Sequence, residues 1–282
     1  MSRYINPYTD FGFKKLFGEE ANKDLLLDFL NAVLPLKSPI AELSFRNPEQ
    51  LPDNIVDRKA VFDIACIGKN GEHFTVEMQK AKQHYFKDRA LFYASYPIQR
   101  QAQRGDWDFR LNPIYLVAVL DFKYDEHEER QKLYRLVSLK DQDGDEFSET
   151  LKMVFLQMPL FRLSENELTD KKDKWLYFLK NLESFDDIPA ILHEPVFAKA
   201  FGAAEYLNYP PELQERYQRE LMAYRDNYAA FKTAADDGYD AGKAEGKTEE
   251  KIEIARKTKA KGLPANLIAE MTGLSAADVE EL

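Results

Sequence analysis

Apolar positions recur every three to four residues in TDFGFKKLFG (9–18) and NKDLLLDFLNAVL (22–34), the spacing of helices that bury one face. Thr9 or Asp10 is suited to cap the first, and Pro35 stops the second. The polar stretch LSFRNPEQLPDN (43–54) reads as loop. The period then drops to two: VFDIACIGKNGEHFTVEMQK (61–80) alternates on both sides of a Lys-Asn-Gly turn and predicts a β-hairpin. FKDRALFYASYPIQRQAQRG (86–105) returns to helical spacing, with Pro97 predicting a kink or break. PIYLVAVLDF (113–122) is almost continuously apolar, as in a central strand covered on both faces. LYRLVSL (133–139) and TLKMVFLQM (150–158) read as further strands around the turn-forming DQDGDE. Helical patterns follow at 169–184, 194–207 and 210–235. Together these elements predict an α/β core, a mixed sheet flanked by helices, followed by a helical C-terminal region.

The composition shifts near Asp236, which divides the chain into a main domain over 1–235 and a tail over 236–282. DGYDAGKAEGKTEEK places glycines at 238, 242 and 246, all on one face of a helix. The plain reading is a frayed linker helix; the sharper one is a close helix–helix contact that would join two chains as a homodimer. Beyond it, Gly262 and Gly273 are positioned as helix stops, and Ser275 with Asp278 forms a capping box. The tail resembles a small helix-turn-helix, but its last helix carries Asp278, Glu280 and Glu281 and no base. That charge favours a protein contact or a capping role over the major groove.

The hairpin carries the candidate chemistry. Centred on Asn70, its paired residue numbers sum to 140, so Asp63 faces Glu77, Val61 faces Gln79 and Ala65 faces Thr75. Phe62, Ile64 and Cys66 then meet Met78, Val76 and Phe74 on an apolar face. A slip of one residue would destroy this segregation, so the register is well specified. Directly opposed Cβ atoms lie about 4.5–5.5 Å apart, and two carboxylates at that separation repel unless a cation sits between them. Mg²⁺ or Mn²⁺, which take oxygen ligands and keep several waters, suit that place. The alternative is an exposed sheet face on which both acids pair with lysines.

Charge sharpens this picture. The 282 residues are 44% hydrophobic and 31% charged, with a formal net charge of -10, which by itself argues against nucleic acid. The segment from Lys80 to Arg110 nevertheless holds seven basic residues against three acids. Lys80, Lys82, Arg89 and Arg100 are candidate phosphate contacts, with Tyr93 lining the cleft. Arg89, Tyr93 and Arg100 share a helix face, whose alternative reading is a salt-bridged amphipathic helix packed on the sheet. The single cysteine, Cys66, excludes an intramolecular disulfide and a cysteine-based zinc cage. His73, His84, His127 and His193 lack metal-ligand spacing. With no apolar run of membrane-spanning length and no signal-peptide pattern, the expected setting is cytoplasmic.

The spacing D-(x)13-E-x-Q on paired strands resembles the PD-(D/E)xK nuclease superfamily motif, with glutamine where lysine is usual. TDFGFKKLFG, FDIACIGKNGEHFTVEMQ, FKDRALFYASYPIQRQ and NPIYLVAVLDF, in that order, resemble the PD-(D/E)xK family transposases, or Rpn family recombination-promoting nucleases, of bacteria. The resemblance implies a restriction-endonuclease-like fold and a divalent-metal-dependent DNA endonuclease acting in recombination or transposon-type DNA processing. It makes Asp63 and Glu77 the metal ligands, sets Gln79 where the lysine would orient the attacking water, and matches Asp10 to an acidic position on the first helix. Asp10 as a simple helix cap or dipole partner is the alternative. Lys80, Lys82 or Lys59 would supply the charge that Gln79 lacks, although strand alternation points Lys80 to the opposite face from Gln79. The alternative function is a catalytically weak or inactive scaffold of the same fold that binds nucleic acid or protein; a phosphodiesterase acting on RNA or nucleotides would use the same chemistry.

Overall fold

A computed structural model describes residues 2–46, 49–50, 60–61, 63–81, 85–103, 105–124 and 128–282. Six strands form one sheet: β1 (Leu43–Phe45), β4 (Ile64–Gly68), β5 (His73–Gln79), β6 (Ile114–Leu120), β7 (Tyr134–Lys140) and β8 (Glu146–Gln157). Their spatial order is β1-β4-β5-β6-β8-β7. The central strands β5, β6 and β8 run parallel, while β1, β4 and β7 are antiparallel to their neighbours. A separate two-stranded ladder joins β2 (Glu49–Gln50) to β3 (Ala60–Val61). The α/β, mixed-sheet architecture expected from the sequence is therefore present.

Every residue of β6 is buried, because both faces of the sheet are covered. Tyr115, Val117 and Val119 join Phe74, Val76 and Met78 in the larger core, beneath the helices α1 (Asp10–Phe17), α2 (Lys23–Val33), α4 (Lys171–Asn181) and α5 (Pro195–Ala204). Leu116, Ala118 and Leu120 face the other way and pack against Phe86, Ala90 and Ala94 of α3 (Phe86–Gln99). Trp175 anchors the larger core, with the rings of Phe17, Phe29, Phe178 and Phe197 around it and its Nε1–H donated to Asp28 Oδ1 at 2.7 Å.

Local chemistry explains the elements that carry the site. Thr9 is the N-cap of α1, its Oγ1 accepting the Gly12 amide at 2.9 Å, while Asp10 opens the helix and pairs with Lys14 at 2.9 Å. Gly12 is required there: a Cβ would collide with the backbone oxygen of Asn6. In the hairpin turn Gly71 adopts φ 88°, a conformation that favours glycine. The Gly68 amide bonds the Glu72 carbonyl at 2.8 Å, which sets the expected register: Ile64, Ala65 and Cys66 pair with Val76, Thr75 and Phe74.

Four expectations need correction. The stretch 43–54, expected to be loop, contributes β1 at the edge of the main sheet and β2 of the small ladder. The ladder between β4 and β5 ends at Ile64–Val76, so Asp63 lies in a bend just before β4 rather than inside a strand. Val61 does not pair with Gln79; it pairs with Glu49 in the small ladder. The helix is not broken at Pro97: α3 runs on to Gln99, and a proline so near the end removes a hydrogen bond where the helix is already finishing. Phe62, on the expected apolar face, falls outside the described residues.

The chain forms two compact units, Met1–Tyr224 and Arg225–Leu282, and the helix α6 (Pro211–Ala260) runs through the division. Gly238, Gly242 and Gly246 lie in uninterrupted helix, exposed, with open space where a Cβ would be. In the second unit Ala255, Ile268 and Val279 form a small core that joins α6 to α7 (Ala265–Thr272) and α8 (Ala276–Glu281). Gly273, at φ 69°, ends α7, and the Ser275–Asp278 capping box starts α8. Among the described residues no helix is long and apolar enough to cross a membrane.

Candidate active site

The C-terminal end of β5 collects the polar side chains that the hairpin pattern predicts. Odd-numbered residues of β5 face away from the larger core, so Glu77 and Gln79 lie on the side covered by α3. Glu77 is only 5% exposed. Asp63, although outside the strand, is held at the same place by its side chain. Its Oδ2 accepts the Met78 amide at 2.7 Å, beyond the last rung of the ladder. A carboxylate there substitutes for the backbone acceptor that a longer β4 would have offered.

Burial raises the pKa of Asp63, the Met78 hydrogen bond opposes that shift, and the charge of Asp10 adds to it. Lys14 and Lys80 pull it back, so Asp63, Asp10, Lys14 and Lys80 share one electrostatic neighbourhood. Glu77 is perturbed further. Burial and then the charge of Asp63 push its pKa up to about 8, against the attraction of Arg89 and the hydrogen bond from Gln79. Gln79 Nε2 donates to Glu77 Oε2 at 3.0 Å, whereas Glu77 Oε1 is buried and receives no hydrogen bond from the described residues. A buried oxygen of this kind is costly unless it serves a ligand.

Arg89, in the first turns of α3, donates from Nη2 to Gln79 Oε1 and lies 5.8 Å from the centre of the Tyr93 ring. Tyr93 is half-buried, and burial followed by the nearby Glu77 charge raises its pKa. Asp63, Glu77, Gln79, Arg89 and Tyr93 are thus brought together, with Asp10 and Lys80 at the edge of the group. Arg100 caps the far end of α3, about 16 Å along the helix axis from Arg89, and is exposed. Lys82 and Lys59 fall outside the described residues, as do His84 and His127. His73 begins β5, at the opposite end of the strand, and His193 contacts the Ile188 carbonyl at 3.2 Å; neither approaches the group.

Two features escaped the sequence reading. One is the bond from Arg89 to Gln79, which links residues ten apart on different elements. The other is Asp121, just past β6, whose amide donates to the Gln79 carbonyl at 2.9 Å and whose Oδ2 accepts from Tyr224 Oη at 2.6 Å. Its side chain lies on the opposite face of the sheet from Glu77. An acid closing the apolar run PIYLVAVLDF was the available signal.

The donor set suits a hard divalent cation: carboxylate oxygens from Asp63 and Glu77 and, among the described residues, no thiolate or imidazole beside them. Among the described residues no group of three or more Asp, Glu, His and Cys surrounds such a position, so water and substrate would complete the coordination.

The family model described as PD-(D/E)XK nuclease family transposase matches residues 7–234, a span that contains Asp10, Asp63, Glu77, Gln79 and Arg89. No curated protein and no solved structure matches the chain. The family match covers well over half of the sequence and agrees with the six-stranded mixed sheet and its flanking helices. The chain belongs to the PD-(D/E)XK nuclease family transposases.

Proposed function

We propose that the protein is a divalent-metal-dependent DNA endonuclease that hydrolyses phosphodiester bonds during recombination or transposon-type DNA processing. The observation that carries this reading is the buried Glu77 carboxyl, with Oε1 unpartnered among the described residues, beside Asp63 in a nuclease-family fold. Asp63 and Glu77 would hold Mg²⁺ or Mn²⁺, which supplies a lowered pKa for the attacking water and offsets the charge that develops on phosphate. Asp63 is oriented by the Met78 amide, so one of its oxygens is fixed and the other is available. Gln79 donates a hydrogen bond and carries no formal charge; Arg89, Lys14 and Lys80 are the cations near the acid pair. Lys80 would meet DNA phosphates at the site, with Arg100 further along α3.

The experiment is plasmid nicking with Mg²⁺ or Mn²⁺ by the wild type, Asp63→Ala and Glu77→Ala. The wild type should nick and both variants should lose at least about 100-fold, the scale of a key electrostatic group. Equal nicking by all three would place the active site elsewhere. If none nicks and all bind DNA, the protein is the binding scaffold that the uncharged Gln79 would suit.

A further inference from the structure

Arg89 reaches from α3 across to β5 and donates from Nη2 to Gln79 Oε1. A guanidinium has donors only, so it accepts nothing and can hold only the oxygen end of an amide. The nitrogen end of Gln79 must then point the other way, and it does: Nε2 donates to Glu77 Oε2 at 3.0 Å. Without Arg89 only the bond to Glu77 Oε2 would oppose a half-turn about the last side-chain bond that exchanges the two ends. That half-turn would set the amide oxygen against the carboxylate.

We infer that Arg89 is a positioning residue that locks Gln79 with its NH₂ toward the acid pair, so that Gln79 acts there as a hydrogen-bond donor. The inference rests on the endonuclease reading for its catalytic meaning. Gln79 has two amide hydrogens, one of them engaged by Glu77 Oε2, which leaves the second for a water or phosphate oxygen at the site. Hydrogen bonding to a cation at the oxygen also polarises the amide and strengthens its N–H donors. A positive charge is in this way delivered one residue behind the reacting atoms. Arg89 is itself steadied by the Tyr93 ring, at 5.8 Å, and by its place on a helix packed to the sheet through Phe86 and Ala90. Neither Lys80, which follows β5 and is exposed, nor any other described lysine makes this contact with Gln79.

The test is a cycle of variants read by nicking kinetics and by DNA affinity in Ca²⁺. Arg89→Met should lower kcat by about 10–100-fold with little change in KM or affinity, the scale of losing one oriented donor. Arg89→Lys, which keeps a charged donor, should recover most of that loss. In a Gln79→Lys background, where the donor no longer needs orienting, Arg89→Met should cost less than about 3-fold. If Arg89→Met instead raises KM and weakens affinity equally in both backgrounds, Arg89 is a phosphate contact and the inference is overturned. A second readout needs no metal and no activity: urea midpoints in EDTA for Arg89→Met, Gln79→Leu and the double variant. Non-additive midpoints support the lock, and additive ones overturn it. Wild-type nicking no greater than that of Asp63→Ala would end the endonuclease reading while this cycle still decides the Arg89–Gln79 contact.

Discussion

Replacing Glu77 by glutamine should stabilise the metal-free protein at neutral and alkaline pH and abolish its response to Mg²⁺. Glu77 is buried, its Oε1 has no hydrogen bond from the described residues, and its pKa stands at about 8 against an ordinary 4.5. The folded state therefore binds this proton more tightly than the unfolded chain does. Below about pH 4.5 both states are protonated and burial carries no ionisation penalty. As pH rises from there to about 8 the unfolded state ionises first, and stability falls throughout that window. At 1.36 kcal/mol per unit, the loss across the window is on the order of 5 kcal/mol. Glu77→Gln keeps the shape, still offers an oxygen to Gln79 Nε2 and cannot ionise. Urea denaturation in EDTA at pH 5, 6, 7 and 8 should thus show a wild type that weakens with pH and a variant that is flatter by a few kcal/mol. Added Mg²⁺ should raise the wild-type midpoint at pH 8 and leave the variant unchanged. Parallel pH profiles for the two proteins would refute the reasoning, because Glu77 would then titrate alike in both states.

On the proposed reading the same proton links activity to pH: a cation held by Glu77 would displace it, so nicking at subsaturating Mg²⁺ should rise roughly tenfold per unit below about pH 8 and then level, as measured by initial rates. Two glycine substitutions should act in opposite directions. Gly12→Ala drives a Cβ into the Asn6 carbonyl and should cost about 1–3 kcal/mol by denaturation, whereas Gly238→Ala meets open space and should strengthen α6 by about 0.5–1 kcal/mol, read by helicity on heating. Tyr224→Phe removes the hydroxyl that donates to the half-buried Asp121 carboxylate and should destabilise by about 1–2 kcal/mol, checked by urea midpoint.

Much of the scaffold was legible from pattern alone. The alternation around Lys-Asn-Gly, with a glycine where positive φ is needed, was enough to set the hairpin register from Ile64 to Ile67, because a slip would bury its polar face. The unbroken apolar run at 114–120 implied burial on both faces, and β6 has it. Thr9 before a helical run implied a cap, and Gly273 a stop. Local sterics, periodicity and backbone hydrogen bonding decide such features within a few residues, so they can be read from a few residues.

What lay beyond the sequence were contacts between elements distant in the chain. Pairing arithmetic placed Asp63 opposite Glu77, but where β4 stops depends on what its preceding residues pair with, and Val61 turns to Glu49 instead. The side chain of Asp63 then takes up the Met78 amide. Nothing in the spacing of Gln79 and Arg89 announces their bond, which exists because α3 packs on β6 and so brings Arg89 within reach of the last residue of β5. The order in which β8 enters between β6 and β7 is likewise a choice among pairings of similar apolar strands. Sequence by itself determined which side chains share a face, since the strand period is two and independent of everything else. Only the tertiary structure decided which of those side chains are dry, unpartnered and charged against one another, because desolvation depends on what covers the face.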